Sequence, residues 1–306
     1  MARVLLVDGN WYLHRAWHAV TARKDYRFLE RSLPAQVLSM VIKDSTKLNC
    51  THLAVIFDAP NSFRYKIYPR YKANRREISL RDLLGGEPDV RSSIPDINVY
   101  TFLETLKRVL RAAGITTVQI ENMEADDALA AGALCLAEDN TVYLATRDKD
   151  LMQVLENSNI KMFWPGNKKN PDRLVDAKEV KKIKGVLPSQ IRDFLILLGD
   201  KVDNIPGVPG VAEKTAVKIL EEHGSISEAI VAKSKWGEKL RKYRDKLNLA
   251  RKLIQLKTDC WGPELKDLAL RPVNKEKLIK LIGFVPDVLN ELHANSNMAN
   301  VKGLFR

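Results

Sequence analysis

Cysteine is scarce in this 306-residue chain: Cys50, Cys135 and Cys260 stand far apart. Disulfide frameworks and zinc clusters need closer sets, so both are excluded and a reducing cytoplasm is expected. No apolar run approaches the roughly 20 residues needed to cross a bilayer, so no membrane span is expected. The opening Met1-Ala2-Arg3-Val4-Leu5-Leu6-Val7-Asp8 is too short in apolar residues for a signal peptide and ends on an acid; it reads as a first β-strand. Internal repeats and low-complexity segments are also missing. What is present, 45% hydrophobic and 29% charged residues, allows one core or a core with a smaller satellite.

Acidic residues fall short of basic ones, 38 against 50, leaving a net charge of +12. That excess favours polyanionic partners through phosphate neutralisation, although a merely soluble basic protein also carries such a charge.

The first half alternates β-branched runs at 3–7, 53–57, 115–120, 142–145 and 160–163 with helical patterns near 35–48, 99–113 and 125–138. This order predicts an α/β fold, a largely parallel central sheet flanked by helices. Residues 61–95 show charges, glycines and prolines but no strand pattern, a long excursion of the kind that is usually functional. From about 186 onward the chain reads as helical, with a basic helical run at 233–256. We therefore expect an α/β domain over 1–185 and a helical subdomain over 186–306.

The acids fall where chemistry is expected. Asp8 and Asp58 each follow a strand, and Asp148 and Asp150 lie just beyond a third. In open α/β sheets the crevice beyond the carboxyl ends of the strands is the usual ligand site. Glu124, Asp126 and Asp127 open a helix, and Asp200 and Asp203 stand one helical turn apart. Singly, each has a structural reading as turn former, helix cap or solvated surface acid. Together they would repel one another and raise their pKa values unless cations offset the charge. Oxygen donors without nearby histidine fit magnesium, with manganese as substitute, better than zinc. Two such ions suit in-line displacement at phosphorus.

Residues 62–76 hold six cations and four aromatics in fifteen positions, a composition that neutralises phosphates and stacks on bases, or that forms a solvated surface segment. Gly207 and Gly210 allow a tight turn between helices. The next helix start would aim backbone N–H groups, with Lys214 and Thr215, at a phosphate. A plain helix–turn–helix packing unit is the alternative. Ala212 stands where a third glycine would strengthen the motif.

These blocks resemble the 5′-nuclease family, which comprises the N-terminal domain of bacterial DNA polymerase I, phage 5′–3′ exonucleases and flap endonucleases. The likeness is carried by Val7-Asp8-Gly9-Asn10, Phe57-Asp58-Ala59, Tyr71-Lys72-Ala73-Asn74-Arg75, Glu124-Ala125-Asp126-Asp127, Thr146-Arg147-Asp148-Lys149-Asp150 and Gly199-Asp200-Lys201-Val202-Asp203-Asn204-Ile205-Pro206-Gly207-Val208. The resemblance implies a PIN-like fold with a helical arch at about 62–98 and a helix–hairpin–helix that grips duplex DNA and often holds potassium. By the same likeness Asp8, Asp58, Glu124 and Asp126 would hold one ion, and Asp126, Asp148, Asp150 and Asp200 a second. Asp127 and Asp203 would act through waters or outer contacts. Lys72 would reach the scissile phosphate, Arg15 and Arg64 would lie near the cleaved phosphate, and Arg75, Arg76 and Tyr71 would meet DNA from the arch. The expected substrate is DNA with a free 5′ end, flap or nick, with an RNA–DNA hybrid as an alternative. A monomer acting in replication, repair or primer removal is expected, with replication proteins as further partners. The chain ends at Arg306, from which a free-standing nuclease, as in phages, is expected; its last ~45 residues match the family poorly. A non-catalytic binder of branched DNA would gain nothing from so many acids. A haloacid dehalogenase-type phosphatase would need an acid where Asn10 stands.

Overall fold

The computed structural model describes residues 1–22, 28–75, 79–80, 97–167, 169–289 and 292. Six strands, β1 (Arg3–Asp8), β2 (His52–Phe57), β3 (Thr116–Gln119), β4 (Thr141–Ala145), β5 (Ile160–Trp164) and β6 (Arg173–Val175), form one sheet in the order β3-β2-β1-β4-β5-β6. All neighbours are parallel except β5 and β6. The three-residue β6, which pairs antiparallel at the sheet edge, has no counterpart in the expected strands.

Successive strand residues point to opposite faces, so Val4 and Leu6 enter one core while Leu5 and Val7 enter another. The second core is filled by α1 (Gly9–Thr21), α2 (Leu29–Lys47) and α4 (Leu103–Ala112). The first holds α5 (Ala125–Leu136) and the helices beyond it. Helix α1 was not expected, because Asp8 is both the last strand residue and the helix cap, accepting a hydrogen bond from the Trp11 N–H at 2.9 Å. Helix α2 begins six residues before the expected start at 35 and carries Pro34 inside it. A short helix, α3 (Phe63–Ile67), opens the predicted arch segment; of 62–98, residues 76–78 and 81–96 lie outside the described part.

After β6 come α6 (Ala177–Lys184), α7 (Pro188–Leu198), α8 (Glu213–His223), α9 (Ile226–Val231), α10 (Lys235–Lys242) and α11 (Arg244–Ile254). The basic run expected as one helix is thus two, joined at Tyr243. The chain then returns to the sheet. Trp261 packs on α5, its ring standing where a Cβ on Gly132 would be, 2.5 Å away. The Thr116 hydroxyl donates to the Asp267 carbonyl (2.8 Å), Arg271 N–H to the Gly114 carbonyl (2.9 Å) and Asn274 N–H to the Ala112 carbonyl (2.8 Å). Gly114 has φ +82°, and any Cβ there would meet the Arg271 carbonyl oxygen at 2.0 Å. A further helix, α12 (Lys275–Ile282), buries Leu278 and Ile282 in the second core.

Candidate active site

Because β1 runs parallel between β2 and β4, with Asp8 level with Ile56 and Val7 level with Ala145, the acids that follow these strands share one sheet edge. Asp8 is buried and also accepts from the Thr146 hydroxyl at 2.9 Å. Burial pushes its carboxyl up to about 7, with repulsion from Asp58 and Asp148 adding to the rise against the Trp11 and Thr146 bonds. The Asp58 carboxylate accepts from the Ala125 N–H at 2.7 Å, which ties β2 to the start of α5, and the Asn10 side-chain oxygen accepts the Asp58 N–H at 3.0 Å.

Asp126 stands in the first turn of α5, half-buried, and its carboxyl is raised well above the ordinary range by desolvation and then by Asp148, Asp8, Asp58 and Asp150. Asp148 caps a 3-10 turn, Lys149–Val154, by accepting from the Asp150 N–H at 2.8 Å. Both Asp148 and Asp150 are raised, first by desolvation; for Asp150 the neighbouring Asp148 comes next. No described residue donates a hydrogen bond to the carboxylate of Asp126 or Asp150.

The other candidate acids have cationic partners. Glu124 accepts from the Tyr71 hydroxyl at 2.9 Å and pairs with the Lys72 ammonium. The Lys149 ammonium meets Asp200 at 2.6 Å, and Arg75 holds Asp203 by two bonds of 2.7 and 3.0 Å. For Asp200, burial is outweighed by Lys149 and the N–H groups of Val202 and Asp203, which hold its carboxyl below the ordinary value. Lys149, set between two candidate acids, was not singled out in the sequence; its alternation with Asp148 and Asp150 is the signal that could have found it.

A cleft of about 730 Å³ adjoins this edge, lined among others by Asn10, His14, Asp58, Tyr65, Lys72 and Glu124. Lys72 has φ +55°, a left-handed backbone unusual for a lysine and a conformation that clusters at functional sites. Its N–H donates to the Asp203 carbonyl at 2.9 Å.

Residues 3–185 match the family model for the N-terminal resolvase-like domain of 5′–3′ exonucleases, and 186–276 match that for their C-terminal SAM fold. The chain belongs to the 5′–3′ exonuclease family. A 5′–3′ exonuclease of Aquifex aeolicus is 30% identical over 310 residues, which cover 100% of this chain and 97% of the relative. DNA polymerase I of Pseudomonas aeruginosa is 36% identical over 233 residues, 76% of this chain but 23% of the polymerase. Among solved structures, T5 5′-exonuclease with divalent zinc ions bound shares the fold at TM-score 0.66 and 21% identity, over 95% of this chain and 99% of that one. The catalytic core of Rad2 in complex with DNA substrate does so at TM-score 0.58 and 13% identity, over 95% and 91%.

Several residues expected at the exonuclease site stand elsewhere in this chain. Arg64 is buried, donating to Asp127 at 2.6 and 2.8 Å and to the Leu253 carbonyl at 2.7 Å. With side chains 3% and 0% exposed, Arg64 and Asp127 neutralise each other, so Arg64 is not presented to a cleaved phosphate; Arg64 also stands 3.2 Å from Glu124 and thereby links Asp127 to that acid's side chain. Arg15 donates to the Gly166 carbonyl and lies over the Trp11 ring, 5.3 Å from its centroid, so it faces the β5–β6 turn rather than the cleft. Tyr71 is buried against Glu124 and offers no face to a base; Tyr65, 5.5 Å from it, is the exposed ring. Arg76 lies outside the described residues.

In the hairpin, Gly207 packs on the end of α7, where a Cβ would stand 2.0 Å from the Leu198 carbonyl oxygen. Gly210 takes φ +71° at the turn, Lys214 is exposed and Thr215 is half-buried in the first turn of α8. Gly207 therefore serves helix packing first.

Among the described residues no three acids are drawn together tightly enough to hold an ion as they stand. The donor set nonetheless fits hard divalent cations. It is all oxygen, its unpaired members are raised by burial and then by mutual repulsion, and two of its carboxylates have no donor among the described residues.

Proposed function

We propose that this chain is a divalent-metal-dependent nuclease that hydrolyses DNA phosphodiester bonds at free 5′ ends, flaps and nicks, in replication, repair or primer removal. The observation that carries the reading is the gathering of Asp8, Asp58, Asp126, Asp148 and Asp150 at one sheet edge, repelling one another with no ion pair to any of them among the described residues. Two magnesium ions, or manganese, would supply Lewis acidity and water activation for in-line displacement at phosphorus. Asp8, Asp58, Glu124 and Asp126 would hold one, and Asp126, Asp148, Asp150 and Asp200 the other, with Asp203 in outer contact.

The chain's own groups prepare the site. Asn10 fixes the Asp58 backbone and the Ala125 N–H its carboxylate, while the Thr146 hydroxyl holds the carboxylate of Asp8. Tyr71 orients Glu124. Lys72 stands at the mouth of the cleft, where it would stabilise charge growing on a phosphate in the transition state. The Gly207–Gly210 turn and Lys214 would carry the downstream duplex, with potassium as the monovalent ion there.

The decisive test is cleavage of 5′-labelled flap, nicked and blunt duplexes, as DNA and as RNA–DNA hybrid, with Mg²⁺ and with EDTA. Metal-dependent shortening from the 5′ side is expected. Asp148→Asn should abolish it while DNA binding persists, and Lys72→Ala should slow it by about 10²–10³. Cleavage undiminished by Asp148→Asn, or by EDTA, would refute the proposal.

A further inference from the structure

Four cation–carboxylate pairs occupy acids of the proposed metal set: Arg64 on Glu124 at 3.2 Å, Lys72 on the same Glu124, Lys149 on Asp200 at 2.6 Å and Arg75 on Asp203 at 2.7 Å. Each joins different segments. Lys149 follows β4 and Arg75 lies in the basic run, yet both reach the turn after α7. An ammonium at hydrogen-bond distance takes up a lone pair of the carboxylate oxygen and neutralises its charge, so it competes with a divalent ion for that oxygen.

We propose that Lys149, with Arg75, is a built-in counter-ion that the metal set hands over to DNA: it neutralises Asp200 in the free protein, releases it as ions are taken up, and then pairs with a backbone phosphate. This rests on the metal-dependent reading above. Lys149 is suited to the exchange. Its side chain is 41% exposed and flanked by Asp148 and Asp150, so a released ammonium stays tethered beside the site where a phosphate needs neutralisation. The Asp200–Asn204 turn does not depend on these ion pairs for its place. It is also latched by Lys72 N–H on the Asp203 carbonyl (2.9 Å), Asn74 on the Lys201 carbonyl (2.8 Å) and Asn204 on the Arg70 carbonyl (2.8 Å). The exchange therefore moves side chains and leaves the backbone in register. Metal and DNA affinities become coupled, each raising the other by the same factor.

The test is calcium uptake by titration calorimetry and flap-duplex binding by anisotropy, on the full chain and on Lys149→Met, Lys149→Arg and Asp126→Asn. Lys149→Met should bind Ca²⁺ roughly two- to fivefold more tightly, the range of a half-exposed ion pair, while Lys149→Arg stays near the parent. In Ca²⁺, Lys149→Met should weaken DNA binding and lower the salt dependence by about one phosphate contact; in EDTA it should change neither. Unchanged or weaker calcium uptake by Lys149→Met, or equal loss of DNA affinity with and without calcium, would overturn the hand-over alone. Absence of any Asp126-dependent uptake in the parent chain would overturn the metal reading and the hand-over with it.

Discussion

Replacing Arg64 with methionine would leave the fully buried Asp127 carboxylate without the two guanidinium bonds, 2.6 and 2.8 Å, that neutralise it. Removing one partner of a buried pair costs about 3–5 kcal/mol, because the remaining charge stays out of water. Two backbone donors would remain on Asp127, the N–H groups of Glu124 (3.2 Å) and Lys257 (2.9 Å), which brings the expected loss to the lower end, about 3 kcal/mol. The Leu253 carbonyl would also lose its partner, adding about 1 kcal/mol. Urea unfolding followed by circular dichroism reads this directly as a lower midpoint at unchanged slope. The double variant Arg64→Met/Asp127→Asn, in which no charge is stranded, should recover part of the loss. A substrate-binding arginine behaves in the opposite way. Stability within about 0.5 kcal/mol of the parent, the level of an ordinary surface change, together with a fall in DNA affinity would refute the structural assignment.

Two further outcomes are expected. Gly207→Ala must push apart backbone atoms that leave only 2.0 Å for the new carbon, so thermal unfolding should show a loss of about 1–3 kcal/mol or more, and a variant as stable as the parent would contradict the packing described. Burial raises the Asp44 carboxyl to about 6, against a hydrogen bond from the Tyr12 hydroxyl of 2.7 Å. The folded chain thus holds this proton more tightly than the unfolded one. The resulting stability is fully present below about pH 4 and lost as pH rises through about 6, on the order of 3 kcal/mol in all. Asp44→Asn should flatten the stability profile between those limits, and a difference curve independent of pH would show that Asp44 titrates normally.

The site acids were legible because parallel strands deliver their ends to one edge, so an acid after each of three strands is already a three-dimensional statement. The same logic failed for Arg64 and Asp127. They lie 63 positions apart, and only the closing of α3 onto α5 and α11 turns a cation of a basic run and an acid of a helix start into a buried pair. Tyr71 was misjudged for a related reason. Composition shows that aromatics are present, whereas their exposure is decided by which one finds a buried acceptor, here Glu124. Helix α1 escaped notice because strand and helix meet at Asp8 with no turn residues between them. The closing segment carried no chemistry to read, and its backbone bonds to residues 112–116 have no sequence signature.

That closing segment makes distant parts of the chain depend on one another. Leu278 and Ile282 complete a core that also contains Leu5 and Val7 of β1, so one interior is sealed only by segments far apart in sequence. Without α12, the α2 and α4 surfaces that it covers would stand open to water. The cleft wall built on α1 rests on that same interior, so a contact remote from the acids helps to hold the site from behind.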